Sequence, residues 1–257
     1  MTTIHEIYDT MCRLAPPELQ LSFDNSGFLV GYGGALCSKA LLSLDLTDAV
    51  LDEAVRLGVQ LVITHHPVIF DPLKSLTDET ASGCRLLRLI ENRIAVISMH
   101  TNLDLANGGV NDVLLERCGA RCEGALDEIG CGRFGMLPAP VPLRAFLARL
   151  RENLPCRGLR YYDAGRCVER LAVLGGAGAN SLERAAALGC DTFLTADIKY
   201  HRFLEAQDLG VNLIDGDHFG TESPVMNALL PKLQTAHPSV EFFVSRDHGP
   251  LIRFFDL

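Results

Sequence analysis

Histidines and carboxylates follow three apolar segments of this chain. The run Leu61-Val62-Ile63 is followed by Thr64-His65-His66-Pro67, and two later apolar runs are followed by His100-x-x-x-Asp104 and His218-x-x-x-Glu222. Imidazoles are costly to desolvate at the end of a buried strand, and α/β proteins build their sites at the carboxyl ends of strands. The pattern therefore points to a polynuclear metal centre. Imidazole and carboxylate ligands without thiolate suit zinc, iron or manganese.

Each of these motifs also has a structural interpretation. His65 and His66 are either satisfied residues of the core or surface, or ligands that project to opposite sides of an extended chain and serve one ion each. The two His-x-x-x-acid motifs are either helix caps and surface ion pairs, or ligand pairs on one helical face. Their recurrence at three strand ends favours metal binding. A carboxylate such as Glu222 can bridge two ions, as two-metal hydrolysis requires.

Three further segments leave alternatives open. The glycine-rich run at 175–180 is either a tight strand-to-helix turn or an anion cradle made of backbone N–H groups, and it matches no dinucleotide or Walker motif. In the run at 195–201, Lys199 could meet a phosphate and His201 could move protons, or the run is a solvated loop that starts a helix. Asp45, at the end of the first strand, is either a partner of a metal ligand or a helix cap.

Composition limits the classes of function. The chain has 257 residues, of which 48% are hydrophobic and 21% charged, as expected for a globular protein with a substantial core. Its formal charge of −9 argues against binding to nucleic acid or to anionic membranes. The first residues lack the features of a signal peptide, and no stretch is long enough for a membrane span. The nine cysteines form no CxxC pair, so we expect reduced thiols and a cytoplasmic location.

The elements that must position these residues alternate between strand and helix, which predicts an α/β fold with a mostly parallel sheet. Thr3-x-x-Glu6 is a capping box, and Thr47 and Gly58 bracket a second predicted helix. The predicted strands include 40–45, 59–63 and 94–97 in the first half of the chain, and 170–174, 192–195 and 211–214 in the second.

The two halves resemble each other. Six residues between Leu51 and Thr64 match residues between Leu182 and Thr195 without a gap, at a constant offset of 131 positions. A His-x-x-x-acid motif follows in each half. We therefore expect two related α/β units. The first comprises residues 1–125, joined by the C-terminal tail 245–257, and the second comprises 126–244. The segment 125–142, rich in glycine and proline, is predicted to cross between them.

Taken together, five motifs resemble those of the NIF-three-like dinuclear-metal-centre proteins, which are also named GTP cyclohydrolase I type 2 homologs. These motifs are THHP, SMHTNLD, GGAGAN, TADIKYH and DGDHFGTE. The resemblance covers nearly the whole chain and matches the short form of the family, which lacks an inserted domain. Ala196 departs from the glycine that is common in the family. The resemblance implies two related α/β units with mixed, mostly parallel sheets that share a dinuclear metal cleft.

The resemblance also implies roles for individual residues. The metal ligands would be His65, His66, Asp104, His218 and Glu222, with Glu222 touching both ions. His100, near the ions without necessarily binding one, or His201 would carry protons. Lys199 and the turn containing Gly176 and Gly178 would bind substrate.

The activity implied is that of a hydrolase with two divalent ions, in which a metal-bridging hydroxide attacks GTP and formate is released. The substrate would be a small molecule, with a nucleotide as one candidate, and the family implies a homohexamer. Two alternatives stay open because ligands define a centre and not its substrate. One is a metal-dependent phosphoesterase or other small-molecule hydrolase. The other is a metal-binding or regulatory assembly without turnover.

Overall fold

A computed structural model describes residues 1–255 of the chain. Its strands, in chain order, are β1 (Thr2–Thr3), β2 (Gly27–Val30), β3 (Leu36–Cys37), β4 (Lys39–Ser43), β5 (Leu61–Thr64), β6 (Ala95–Ser98), β7 (Arg121–Ala125), β8 (Arg133–Val141), β9 (Arg160–Tyr162), β10 (Val168–Val173), β11 (Thr192–Thr195), β12 (Asn212–Asp215) and β13 (Glu241–Val244). Its α-helices are α1 (Ile4–Leu14), α2 (Asp48–Leu57), α3 (Ala81–Glu91), α4 (Thr101–Leu105), α5 (Val110–Arg117), α6 (Leu143–Asn153), α7 (Leu182–Ala187), α8 (Tyr200–Leu209), α9 (His218–Glu222) and α10 (Pro224–Ala236). Short 3-10 turns lie at Pro17–Leu19 and Ala179–Ser181.

Local side-chain chemistry sets the ends of the first two helices. The Thr3 side chain accepts a hydrogen bond from the backbone N–H of Glu6, and the Glu6 carboxylate accepts one from the N–H of Thr3, so the predicted capping box is confirmed. At α2, the Thr47 side chain accepts a hydrogen bond from the backbone N–H of Val50 and so caps the helix. Gly58 ends α2 with a left-handed φ of 65°, a conformation that glycine adopts without a steric penalty.

The described chain divides into two units. The first comprises Met1–Ala106 and Met226–His248, and the second comprises Asn107–Val225 and the segment that starts at Gly249. These boundaries differ from the predicted ones at 125/126 and 244/245. Helix α5 packs on β7, β8 and β10, so the second unit begins earlier in the chain than expected. Strand β13 pairs with β4, so the segment that returns to the first unit already includes most of α10.

The first unit contains a five-stranded sheet in the order β13-β4-β5-β6-β2. The four strands from β13 to β6 are parallel, and β2 is antiparallel to β6 at the edge. The last row of paired residues across the central strands is Ser43, Thr64 and Ser98. Because these strands are parallel, their carboxyl ends meet at one edge of the sheet. Two residues beyond that row, the chain carries Asp45, His66 and His100.

The second unit contains a six-stranded sheet in the order β7-β8-β10-β11-β12-β9. Its three central strands, β10, β11 and β12, are parallel, and the outer strands are antiparallel to their neighbours. Alternate residues of the central strands pack on opposite faces. Leu171 and Val173 belong to a core that includes residues of α5 and α6, whereas Ala172 belongs to one that includes residues of α7 and α8. The sheet is therefore covered on both sides.

The predicted repeat is confirmed at the level of topology. The first unit contains the series β4-α2-β5-α3-β6-α4, and the second contains β10-α7-β11-α8-β12-α9. In each series the three strands are adjacent and parallel in chain order. The expected architecture of two related α/β units with mixed sheets is thus confirmed. The first sheet is mostly parallel, as predicted, but three of the five strand pairings in the second sheet are antiparallel.

The segment 125–142 is not a simple crossover, because it contains the whole of β8. Arg133, Gly135 and Leu137 of this strand are buried in alternation, which is the pattern of a strand within a sheet. The sequence did not predict this strand, because Pro138 and Pro140 interrupt its pattern. Both lie beyond the residues that pair with β7 and within the irregular part of the pairing with β10, where the ladder does not need their missing N–H groups.

No helix among the described residues is long and apolar enough to cross a membrane.

The equivalent leucines Leu51 and Leu182 test the packing of both units. Each is 0% exposed and lies in the core of its own unit. Replacing either by alanine should lower the free energy of unfolding by about 2–5 kcal/mol, measured by urea denaturation. Leu209→Ala, at a side chain that is 40% exposed, is the matched control and should cost less than about 0.5 kcal/mol. Equal costs at the buried and exposed leucines would contradict this packing.

Candidate metal centre

Two consecutive histidines, His65 and His66, follow β5 directly. The backbone N–H groups of His65 and His66 both donate to the carbonyl of Leu44, at 3.1 and 3.0 Å. The Thr64 hydroxyl donates to the carbonyl of His66 at 2.8 Å, and Pro67 fixes the next φ angle. The backbone that carries both imidazoles is therefore tied to the end of β4.

The imidazoles of His65, His66 and His100 each bond an oxygen through the Nδ1 atom. The distances are 2.8 Å from His65 to the Met99 carbonyl, 2.6 Å from His66 to Asp45, and 2.7 Å from His100 to Asp24. A carbonyl or an ionised carboxylate only accepts hydrogen bonds, so Nδ1 must carry the proton in all three rings. In a neutral ring this tautomer leaves the lone pair on Nε2, which is the state that metal-binding histidines adopt.

The rings of His65, His66 and His100 lie close together. His65, His66 and His100 each offer one ligand atom, and these atoms lie within 4.8 Å of one another. His65 is completely buried. Asp104, on α4, places Oδ1 3.5 Å from His65 Nε2. The first unit therefore brings four of the predicted site residues close together, and the three histidines among them form a group that is able to hold a metal ion.

Asp24 belongs to this group, although the sequence did not identify it. Its carboxylate accepts hydrogen bonds from His100, from the Ser26 hydroxyl at 2.8 Å, and from the N–H and hydroxyl of Thr101 at 3.0 and 2.6 Å. Burial alone would raise the pKa of Asp24, but the hydrogen bonds from His100 and Thr101 outweigh it and hold the pKa well below its usual range. Asp24 is therefore a charged anchor for His100.

Asp45 is the partner of a candidate metal ligand, which is one of the two roles that the sequence left open. Its carboxylate contacts His66 on one oxygen and His248 on the other. Burial would raise the pKa of Asp45, but its contacts with the His248 and His66 rings outweigh burial and keep the group ionised. The residue that caps α2 is Thr47, so Asp45 acts as the partner of a candidate ligand.

In the second unit, His218 and Glu222 lie on one face of α9. His218 Nε2 is 3.0 Å from Glu222 Oε2, and His218 Nδ1 is 2.7 Å from Asp197. Asp197 and Asp217 have positive φ angles of 53° and 67°. Such backbone is strained for residues other than glycine and is concentrated at functional sites. The two strained residues here are Asp197, which contacts His218, and Asp217, which caps α9.

Two carboxylates determine the protonation of His218. Burial alone would lower its pKa, but the hydrogen bonds and charges of Glu222 and Asp197 outweigh burial and raise the pKa to about 9. In the metal-free protein His218 is therefore protonated at neutral pH. A metal ion must displace the proton on Nε2 before it binds there.

The glycine-rich turn lies against these residues. Gly176 has a φ of 66°, and a Cβ at this position would collide with Glu222. The backbone N–H groups of Gly175, Gly176 and Gly178 donate to Asn111, Thr221 and Thr195 within the protein. Because these donors are already engaged, the structure favours the tight-turn interpretation over an anion cradle. The absence of a side chain at Gly176 makes room for Glu222.

Lys199 and His201 lie at the start of α8, and both side chains are exposed. Within the described residues, neither makes a hydrogen bond to His218 or Glu222. The structure therefore leaves their predicted roles in substrate binding and proton transfer as predictions.

The donor geometry fits a divalent ion. Two ligands that each lie about 2.0–2.1 Å from a tetrahedral ion are about 3.3 Å apart. The His65–Asp104 and His218–Glu222 separations, 3.5 and 3.0 Å, lie close to this value. Each pair joins an imidazole to a carboxylate, a combination that binds zinc, iron or manganese. Oxygen partners at Nδ1 of the histidines complete the pattern of an orienting outer shell.

Fold and site together define a class: an α/β protein with a duplicated parallel unit and histidine-carboxylate groups able to hold metal at its strand ends. A family model described as Duf34/NIF3 (NGG1p interacting factor 3) matches residues 2–250, and the chain belongs to this family. The resemblance seen in the five sequence motifs is thereby confirmed.

Individual relatives agree with this assignment. The chain is 32% identical over 252 residues to the "GTP cyclohydrolase 1 type 2 homolog" of Clostridium perfringens, covering 95% of this chain and 96% of the relative. It is 34% identical over 230 residues to a protein of the same name from Clostridium acetobutylicum, covering 86% of each. The crystal structure of a Bacillus cereus protein related to NIF3 shares the fold, with a TM-score of 0.91, 24% identity and 99% coverage of both chains.

The raised pKa of His218 is directly measurable. In metal-free protein, NMR titration of its ring should give a midpoint near 9. Because this is above the ordinary value of about 6.5, the protonated ring stabilises the metal-free fold below about pH 6.5. That contribution is lost as the pH rises through about 9. Asp197→Asn removes one of the two carboxylates and should shift the midpoint toward 6.5.

Asp208→Asn is the matched control, since it removes an exposed carboxylate from α8 and should leave the His218 midpoint unchanged. A wild-type midpoint at or below 6.5 would contradict the arrangement around His218.

Proposed function

We propose that this protein is a dinuclear-metal-dependent hydrolase of a small molecule, with GTP as the first candidate substrate. The observation that carries the proposal is the group of three imidazoles in the first unit, each held at Nδ1 so that Nε2 can bind metal. The names of the two clostridial relatives support GTP as the candidate.

In this proposal the two units supply ligands to the same pair of ions. His65, His66 and Asp104 come from the first unit, and His218 and Glu222 come from the second. Family membership and the duplicated topology support a shared centre. We further propose that Glu222, whose two oxygens can serve two ions, is the bridging ligand. The ions are zinc, iron or manganese, as the ligand types favour.

When bound, two such ions would lower the pKa of a coordinated water and polarise the substrate. His100 is the proposed proton carrier, because its Nδ1 is held by the ionised Asp24 and its ring stands beside those of His65 and His66. His201 is the second candidate for this role. Lys199, exposed at the start of α8, is the proposed contact for a substrate phosphate.

We also propose a homohexamer in the cytoplasm. Family resemblance supports the hexamer. All nine cysteines are reduced thiols, a state that the reducing cytoplasm maintains.

The metal content is the first test of the proposal. Protein purified without a metal-affinity tag and loaded with zinc or manganese should hold two ions per chain, measured by plasma mass spectrometry. Glu222→Gln removes a bridging charge and should weaken metal binding at least about 10- to 100-fold. Glu183→Gln makes the same change on an exposed residue of α7 and should leave binding intact. Equal metal content in the two variants would contradict the ligand assignment.

The activity is a separate test. Metal-loaded protein should consume GTP and release formate in equal amounts, and Glu222→Gln should reduce the rate by at least about 100-fold because the ions lose a ligand. The matched Glu183→Gln variant should retain the rate. Absence of formate release with zinc, iron and manganese alike would overturn GTP as the substrate.

Two other outcomes identify the alternatives. Turnover of phosphoesters in a substrate panel, lost in Glu222→Gln, would indicate a phosphoesterase built on the same centre. Tight binding of two ions with no rate above that of free ions would indicate a metal-binding or regulatory assembly.

A further inference from the structure

A further histidine of the first unit, His248, lies behind the candidate ligands. His248 follows β13, and its side chain is 4% exposed. Its Nε2 lies 3.2 Å from Asp45 Oδ2, and its Nδ1 lies 3.2 Å from the Ser43 hydroxyl. Neither the sequence motifs nor the family resemblance assigns a role to this residue.

Asp45 links His248 to a candidate ligand. One oxygen of its carboxylate is 2.6 Å from Nδ1 of His66, and the other faces Nε2 of His248. An ionised carboxylate only accepts hydrogen bonds, so His66 donates to it from Nδ1. The nearby Nε2 of His248 makes a favourable electrostatic contact with Asp45 when it carries the ring proton, and Nδ1 of His248 then faces the Ser43 hydroxyl.

The segment that carries His248 is itself held in place. The buried carboxylate of Glu53, on α2, accepts hydrogen bonds from the Ser245 hydroxyl at 2.5 Å and from the backbone N–H groups of Arg246 and Asp247 at 3.1 and 3.3 Å. The N–H of Ser245 also donates to the carbonyl of Leu42. The hydrogen-bonded backbone of this segment therefore holds His248 beside Asp45.

We propose that His248 is a positioning residue for the metal centre. The Asp45 side chain is 37% exposed, so a single hydrogen bond from His66 would leave it free to rotate and to pair with water. The second contact, with Nε2 of His248, holds the other carboxylate oxygen and so limits the rotation of the carboxylate. Asp45 then holds His66 in the Nδ1–H tautomer, with Nε2 available to an ion. The metal part of this proposal rests on the proposed function, whereas the tautomer part does not.

Two polar substitutions at His248, which differ in side-chain length, test the proposal. The amide nitrogen of His248→Gln reaches the place of Nε2 and can still donate to Asp45, whereas the amide of His248→Asn ends one methylene short. In metal-free protein, long-range ¹H–¹⁵N spectra should show His66 as the Nδ1–H tautomer in wild type and in His248→Gln. In His248→Asn the Nε2–H tautomer should appear. The dissociation constant for zinc should rise about 3- to 10-fold in His248→Asn and stay near wild type in His248→Gln.

Arg56→Ala is the control, since it removes the exposed ion pair to Asp247 on the same segment and leaves the Asp45–His248 contact in place. It should change neither readout. Unchanged His66 spectra in His248→Asn, or equal losses in the Asn and Gln variants, would overturn the proposal. Wild-type protein that binds no zinc would instead overturn the proposed function, while the His66 spectra would still decide the role of His248.

Discussion

The site depends on one constraint, which is that an imidazole at the end of a buried strand needs an oxygen acceptor at Nδ1. His65, His66 and His100 satisfy it with a backbone carbonyl and two carboxylates. These hydrogen bonds replace the hydrogen bonds to water that the buried rings lose. They also fix the tautomer, which determines the nitrogen that is available to a metal ion. The register of β4, β5 and β6 meets the same requirement, because it brings Asp45 beside His66 and the carbonyl of Met99 beside His65.

The duplicated topology uses equivalent positions for different tasks. His66 in the first unit and Asp197 in the second both follow the middle strand of the parallel series, at the same offset of 131 residues that relates the two halves. In the first unit this position supplies a candidate ligand. In the second it supplies the carboxylate that holds His218. The same topology thus places a candidate ligand in one unit and the hydrogen-bond partner of a candidate ligand in the other.

Local sequence patterns predicted the parts of the fold that local interactions determine. The capping box at Thr3, the stop at Gly58 and the strand Thr192–Thr195 were all predicted, because side-chain periodicity and backbone chemistry act over a few residues. The same patterns predicted that histidines would leave the carboxyl ends of strands. They did not predict β8, whose prolines lie where the ladder is irregular. They also set the unit boundaries too late, since long-range packing of α5 and β13 fixes them.

The partners of the histidines were harder to predict than the histidines themselves. Asp24 reaches His100 across 76 residues of chain, from a loop without apolar periodicity. His248 likewise comes from an irregular segment after the last strand. Such contacts become visible only when the tertiary structure brings distant segments together.

The central claim is that Nε2 of the anchored histidines binds metal, and anomalous diffraction tests it most directly. Crystals of tag-free protein loaded with zinc should show two anomalous peaks per chain, with His65 and His66 each about 2.0–2.1 Å from an ion through Nε2. The Nδ1 bonds to Met99 and Asp45 should stay intact. Absence of a peak beside these rings, or coordination through Nδ1 with loss of those bonds, would contradict the account.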